Sequence, residues 1–118
     1  MSVIMILSTK PYDGTDKTWN ALRLANNLLE KKVELKIFLI NDAIDLAKDA
    51  CRKGENDEHD LVIELKKVIN HGAQVKACAN SQNKCGQYKN EFYYDSSLKG
   101  TIYDLSDWII ISNKVISF

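Results

Sequence analysis

The chain has 118 residues, of which 45% are hydrophobic and 27% charged, with 16 basic side chains against 16 acidic ones. This length suits one domain (1–118) with a real core and is too short for two. Zero formal net charge argues against a dedicated nucleic-acid binder, and no apolar run nears the roughly 18 residues that span a membrane.

Met1–Leu7 lacks a basic leading segment and reads as a first strand rather than a signal peptide. Val3–Leu7 is a short, continuous apolar run of the kind buried on both faces of a sheet. A polar turn, Ser8–Thr15, leads to a helix over about Asp16–Lys31. Trp19, Leu22, Ala25 and Leu29 share one of its faces, and Asp13, Thr15 or Asp16 is its expected cap. Val33–Ile40 is the second strand. Asn41 or Asp42 is placed to cap a helix running to about Arg52, with Ile44, Ala47 and Cys51 inward.

Asp42–Asp60 holds seven acids against three bases and reads as a solvated face followed by a polar loop. Leu61–Asn70 is helical, with Leu61, Leu65, Val68 and Ile69 on one face and Gly72 closing it. Gln74–Cys78 is the third strand. Ala79–Thr101 is mostly irregular, with room for a short strand or a turn of helix. Ile102–Ser112 is a helix with Leu105, Trp108, Ile109 and Ser112 on one side, and Lys114–Phe118 is the last strand. Strands alternating with helices of this length predict an α/β fold with a parallel sheet covered on both faces.

In such sheets ligands bind outside the carboxyl ends of the strands. Ser8–Thr15, the segment after Ile40, and Ala79–Gly86 are expected to gather there. Tyr12 and Asp13 from the first, Asn41 from the second and Ser81 from the third would line a pocket at that edge.

The third of these loops holds the chemistry. Cys78 ends an apolar run and Cys85 follows seven residues later. No acidic residue lies between His71 and Asn90, whereas Lys76, Lys84 and Lys89 do. Positive charge favours the thiolate, which is the nucleophilic form of cysteine. Lys76 and Lys84 are therefore read as thiolate-supporting, and loop N–H groups would add to this if they turned inward. The competing reading of Cys78 is a small buried hydrophobe. Cys85, beside Gly86 and among polar residues, is expected outside the core; Cys51 is expected inside it.

Other chemistries lack their signatures. The Cys and His spacings are not those of a structural zinc site. Asp13-Gly-Thr-Asp-Lys-Thr18 has Lys-Thr without the glycine spacing of a phosphate loop, and no G-x-G-x-x-G follows any strand. Three cysteines, an odd count without the spacing of a disulfide scaffold, point to a mostly reduced, cytoplasmic chain. Phe92-Tyr-Tyr94 is an aromatic cluster that suits either the edge of the core or a subunit interface.

Taken together, these segments resemble a known family. Ile4-Met-Ile-Leu-Ser-Thr-Lys-Pro-Tyr-Asp-Gly14 with Trp19-Asn-Ala-Leu-Arg-Leu-Ala25 resembles the opening of the DsrE/DsrF-like proteins, especially the YchN-like branch. Phe38-Leu-Ile-Asn-Asp-Ala43, Val75-Lys-Ala-Cys78, Leu105-Ser-Asp-Trp108 and Asn113-Lys-Val-Ile-Ser-Phe118 resemble later segments in the same order. The resemblance implies a three-layer α/β/α sandwich with a mostly parallel sheet of about five strands, flavodoxin-like in general architecture. It also implies assembly as trimers or hexamers. Members with known roles carry sulfur as a cysteine persulfide, and that cysteine falls on Cys78. Many relatives have a second cysteine where this chain has Ser81, so no tight C-x-x-C pair forms here. Others have Arg-Gly or Cys-Gly where Cys85-Gly86 stands.

Two functions stay open on these grounds. One is a small sulfur carrier with Cys78 as the sulfur-bearing thiol and Cys85 as accessory. It would exchange sulfur with donor and acceptor proteins and need no organic cofactor and no metal. The other is a non-enzymatic oligomeric module that binds a small ligand or a protein.

Overall fold

The computed structural model describes all of residues 1–118. Five parallel strands form one sheet: β1 (Ser2–Leu7), β2 (Glu34–Leu39), β3 (Gln74–Cys78), β4 (Lys99–Gly100) and β5 (Lys114–Ser117), in the order β4-β3-β2-β1-β5. Three helices cover it: α1 (Lys17–Glu30), α2 (Leu61–Asn70) and α3 (Ile102–Ile111). Right-handed crossovers put α1 and α2 side by side on one face and carry α3 back across the other, from the β4 edge to the β5 edge. This is the expected three-layer sandwich.

The central strands are apolar because both their faces are covered. Ile4, Met5, Ile37, Phe38 and Leu39 have no exposed surface. Met5 lies beside Ile37 and Leu7 beside Leu39 in the β1–β2 register, while Phe38 lies beside Lys76 in the β2–β3 register. Alternation sends Phe38, Lys76 and Cys78 to the α3 face and Val75 and Ala77 to the opposite one. Trp108 of α3 meets Phe38 edge-on, with ring centroids 6.2 Å apart at 88°, a geometry the aromatic quadrupole favours.

Helix ends follow local chemistry. Asp60 caps α2 by accepting the Ile63 N–H, and Gly72, at φ 116°, turns the chain out of it. Thr101 and Asp104 form a capping box on α3. At α1 the Asp13 carboxylate accepts from the Thr15 N–H and hydroxyl and so folds the preceding turn. Asp16 precedes the helix without a side-chain cap bond.

The helix expected from Asn41 to Arg52 does not form. Its place is taken by a 3-10 segment, Asn41–Ala47, entered through Asn41 at φ 54°. Lys48 is then extended and bridges to Tyr93. The physical reason lies outside the segment. Asp42, one of the expected caps, gives its carboxylate to the Gly86 N–H, and Lys48 turns its amine to carbonyls of the following loop. Tertiary bonds outweigh the helical preference. Ile109, expected to face inward on α3, is 40% exposed, and the helix buries Leu105 and Trp108.

Candidate functional site

Cys78 is the last residue of β3, at the carboxyl edge of the sheet, and is 7% exposed. Its carbonyl accepts a 2.6 Å hydrogen bond from the Tyr93 hydroxyl. The next residue, Ala79, donates its N–H to Gly100 in β4. The chain then winds through a helical turn in which the Cys85 N–H bonds to the Ser81 carbonyl at 2.9 Å. Ser81 is buried, Cys85 is half-buried against the core, and Lys84 is exposed. All three cysteines are free thiols.

Three residues from the 3-10 region, Asp42, Asp45 and Lys48, hold this loop. Asp45 is 1% exposed and Lys48 is completely buried. The Asp45 carboxylate accepts from the Gln87 N–H at 2.9 Å and from the Tyr88 N–H at 3.5 Å, while Asp42 takes the Gly86 N–H at 2.8 Å. The Lys48 ammonium donates to the carbonyls of Gln82, Tyr88 and Glu91 at 2.7, 3.1 and 2.8 Å. It also lies 5.3 Å from the Tyr93 ring centroid. Burial pulls the Lys48 amine below the usual lysine range, and Asp45 and Glu91 oppose that pull.

Gly86 is required where it stands. Its φ is 81°, and a Cβ there would lie 2.9 Å from Asp45 Cγ. The loop N–H groups therefore turn to Asp42 and Asp45. The acid-free stretch of sequence around the cysteines is met in space by two carboxylates from elsewhere.

Tyr93 meets this loop through its bond to the Cys78 carbonyl. Burial pushes its phenol up, and the charges of Cys78, Asp45 and Cys85 push it the same way. Cys51 is 3% exposed, and burial pushes its thiol up to about 12, with the Asp45 charge adding to the rise and a hydrogen bond with Tyr88 opposing it.

The other expected residues scatter. Lys76 lies two residues before Cys78 on the same sheet face, against Gly100. Asn41 is exposed at the start of the 3-10 segment. Tyr12 and the loop that bears it close against another part of the chain, where the Tyr12 hydroxyl accepts the Leu61 N–H at 3.0 Å. Tyr12 lines a cavity of about 220 Å³ there, beside Trp19 and His59, whose rings stack 3.6 Å apart. Asp13 stays exposed, its carboxyl held below its usual range by the Thr15 hydroxyl. Two of the three expected loops thus meet through hydrogen bonds, and the first packs against Leu61.

Asp45, Lys48 and Tyr93 were not singled out from the sequence. A signal exists for the first two. In Ala43-Ile-Asp-Leu-Ala-Lys48 two charges are embedded in apolar neighbours, which suits a buried polar pair better than a solvated face.

Over residues 1–118 the chain matches the family model described as "DsrE/DsrF-like family". The chain belongs to that family. It is 36% identical over 118 residues to an uncharacterized protein of Methanopyrus kandleri, covering 98% of this chain and 93% of the relative. It is 30% identical to an uncharacterized protein of Methanocaldococcus jannaschii over the full length of both. Protein YchN of Escherichia coli is 26% identical, over 98% of this chain and 97% of YchN. The crystal structure of YchN superposes with a TM-score of 0.77 at 24% identity, covering 100% of both chains. That likeness shows the fold: a DsrE-like α/β sandwich.

Proposed function

We propose that this protein is a small sulfur carrier that holds sulfur as a persulfide on Cys78. The observation behind the reading is Cys78 at the carboxyl end of β3, its carbonyl held by the Tyr93 hydroxyl, at the root of a loop that carries Cys85 and is braced from outside by Asp45 and Lys48. Membership of the DsrE/DsrF-like family, with its association with sulfur relay, supports it.

The Cys78 thiolate would attack the outer sulfur of a donor persulfide, forming a new S–S bond as the donor leaves as thiolate. An acceptor thiolate would then take that outer sulfur and return Cys78 to thiolate. Alternatively Cys85 would attack Cys78 Sγ, releasing hydrosulfide and leaving a disulfide that a dithiol must reduce. Lys76 and Lys84 would favour the thiolate. Asp13 and Asn41, both exposed, would shape the approach of a partner protein.

Three free thiols suit a reducing compartment such as the cytoplasm. No helix is long and apolar enough to cross a membrane. Self-association, as trimer or hexamer, is supported by the apolar residues left open on α3 and β5. Tyr103 and Ile110 are 78% and 79% exposed, with Ile111 and Val115 beside them. Sedimentation at micromolar concentration tests this, and a monomer there would remove it.

The burial of Cys78 favours a second reading, in which the cysteine is structural and the protein is a non-enzymatic oligomeric binding module. Intact mass after incubation with a persulfide donor separates the two. The carrier gains one sulfur atom, keeps the gain in Cys51→Ala and loses it in Cys78→Ala. A protein that gains no sulfur under these conditions is not a carrier.

A further inference from the structure

The two edges of the sheet differ. At the β5 edge a four-residue strand lies open. At the other edge β4 is only two residues long and pairs with Ala77 and Cys78 alone, leaving Gln74–Lys76 with no strand opposite. The Ala79 N–H points to this edge, since it bonds to Gly100. With period two, the N–H and C=O of Val75 point there as well. A cavity of about 480 Å³ occupies the place of the missing strand. Its volume is in the range of small-ligand sites, which run to roughly 300–1,000 Å³.

The lining of this groove is specific in chemistry. Ile69 and Val75 on one side of the sheet and Leu98 and Trp108 on the other give apolar walls. Lys66 and Lys76 supply positive charge, and neither is in an ion pair with a carboxylate. Lys66 is held at the mouth, its Nζ 4.5 Å from the centroid of the Tyr94 ring, a contact that fixes the cation without neutralising it. The one acid in the lining, Asp95, is already engaged by the Ser97 N–H at 2.9 Å and the Ser97 hydroxyl at 2.8 Å.

We propose that the open edge of β3 is a docking groove for an extended acidic peptide segment, which adds as a strand beside Gln74–Lys76 and stops at β4. Main-chain bonds to Val75 give such a segment its register, alternate apolar side chains enter the walls, and its carboxylates meet Lys66 and Lys76. Edge strands carry unpaired backbone groups that invite this pairing. Here β4 limits it to three residues and thereby blocks open-ended association. The groove lies beside the thiol loop, and its occupancy does not depend on sulfur chemistry.

The test titrates the labelled protein with capped pentapeptides that alternate glutamate with valine, leucine or phenylalanine, and reads backbone amide shifts. Saturable shifts centred on Gln74–Lys76 are expected. Binding weakens about tenfold in Lys66→Glu or Lys76→Glu and is unchanged in Lys114→Glu on the far edge. A peptide N-methylated at its central amide loses binding, because it cannot bond to Val75. Equal binding of the N-methylated peptide, or the same shifts from glutarate alone, would overturn strand addition in favour of a simple anion site. Absence of shifts at millimolar peptide overturns the proposal altogether.

Discussion

Lys48 is the side chain whose removal tests the site most directly. Lys48→Met keeps the length and apolar stem and deletes the ammonium. The wild-type amine makes three hydrogen bonds, to Gln82, Tyr88 and Glu91, at full burial. Bonds to a charged group contribute about 1.5–3 kcal/mol each. Desolvating the ammonium takes back several kcal/mol, in line with the lowered pKa of this group. The difference leaves an expected loss of about 2–4 kcal/mol, a large share of the roughly 5–15 kcal/mol that holds a domain together. The loss falls on the segment from Gln82 to Glu91, which those bonds tie down. Cys78 is 7% exposed at the root of that segment, so its alkylation is expected to follow local opening there. An opening made easier by about 2–3 kcal/mol speeds alkylation roughly 30- to 150-fold, at tenfold per 1.4 kcal/mol. The assay combines urea unfolding with timed alkylation and peptide mapping of Cys78, and with hydrogen exchange at Gly86–Tyr88. Unchanged stability would refute the clamp. So would a variant that loses global stability while Cys78 and the loop amides react at wild-type rates, since the order of the loop would then arise elsewhere.

Three further outcomes are expected. Gly86→Ala costs about 1–2 kcal/mol for the left-handed backbone alone, and the collision with Asp45 adds to it; denaturant titration showing less than this would mean the loop can re-route. Tyr94→Phe leaves stability unchanged or raises it by up to about 1 kcal/mol, because the Tyr94 hydroxyl is buried with no partner. A loss larger than that, measured by thermal unfolding, would reveal a bond to that hydroxyl. Above pH 9 the fold weakens, because Cys51 ionises from 9.0 in the unfolded chain but only near 12 in the folded one, and Tyr12 and Tyr94 shift from 10.0 to about 12. Each keeps its proton longer when folded, so the stability it gives is whole below its unfolded pKa and is lost as pH rises toward 12. Lys48 acts in the opposite sense, since its folded pKa lies below 10.5. Cys51→Val moves the onset of alkaline unfolding up by about one pH unit, toward the tyrosines, and an unmoved onset would show that Cys51 is not the first group to titrate.

Much of the architecture was legible because local signals agreed with the global fold. Val3–Leu7 is apolar enough to require burial on both faces, Val33–Ile40 reads as the next strand, and both lie in the centre of the sheet. Leu61–Asn70 carried its helical stripe and its terminating Gly72, and both stand. The segment after Ile40 failed for a definite reason. Its helical spacing of Ile44 and Ala47 was real, but Asp42, Asp45 and Lys48 each bond to residues about 34 to 44 positions away. No window along the chain contains that information. The charge around the cysteine loop has a part no local count contains, since Asp42 and Asp45 reach its N–H groups from another segment. Cys85, expected outside the core, is half-buried and packs against it. The first loop was sent to the cysteine edge by topology, yet Tyr12 binds Leu61.

The clamp has a consequence for how this family can vary. Lys48 grips only main-chain oxygens, and Asp45 and Asp42 accept only main-chain N–H groups. None of these bonds depends on which side chain the loop residue carries. Apart from Gly86, the buried Ser81 and Gln82 and the half-buried Cys85, the loop is therefore free to exchange its side chains while its path stays the same. The cysteine loop behaves as a cartridge, held by a short segment whose bonds do not read its side chains.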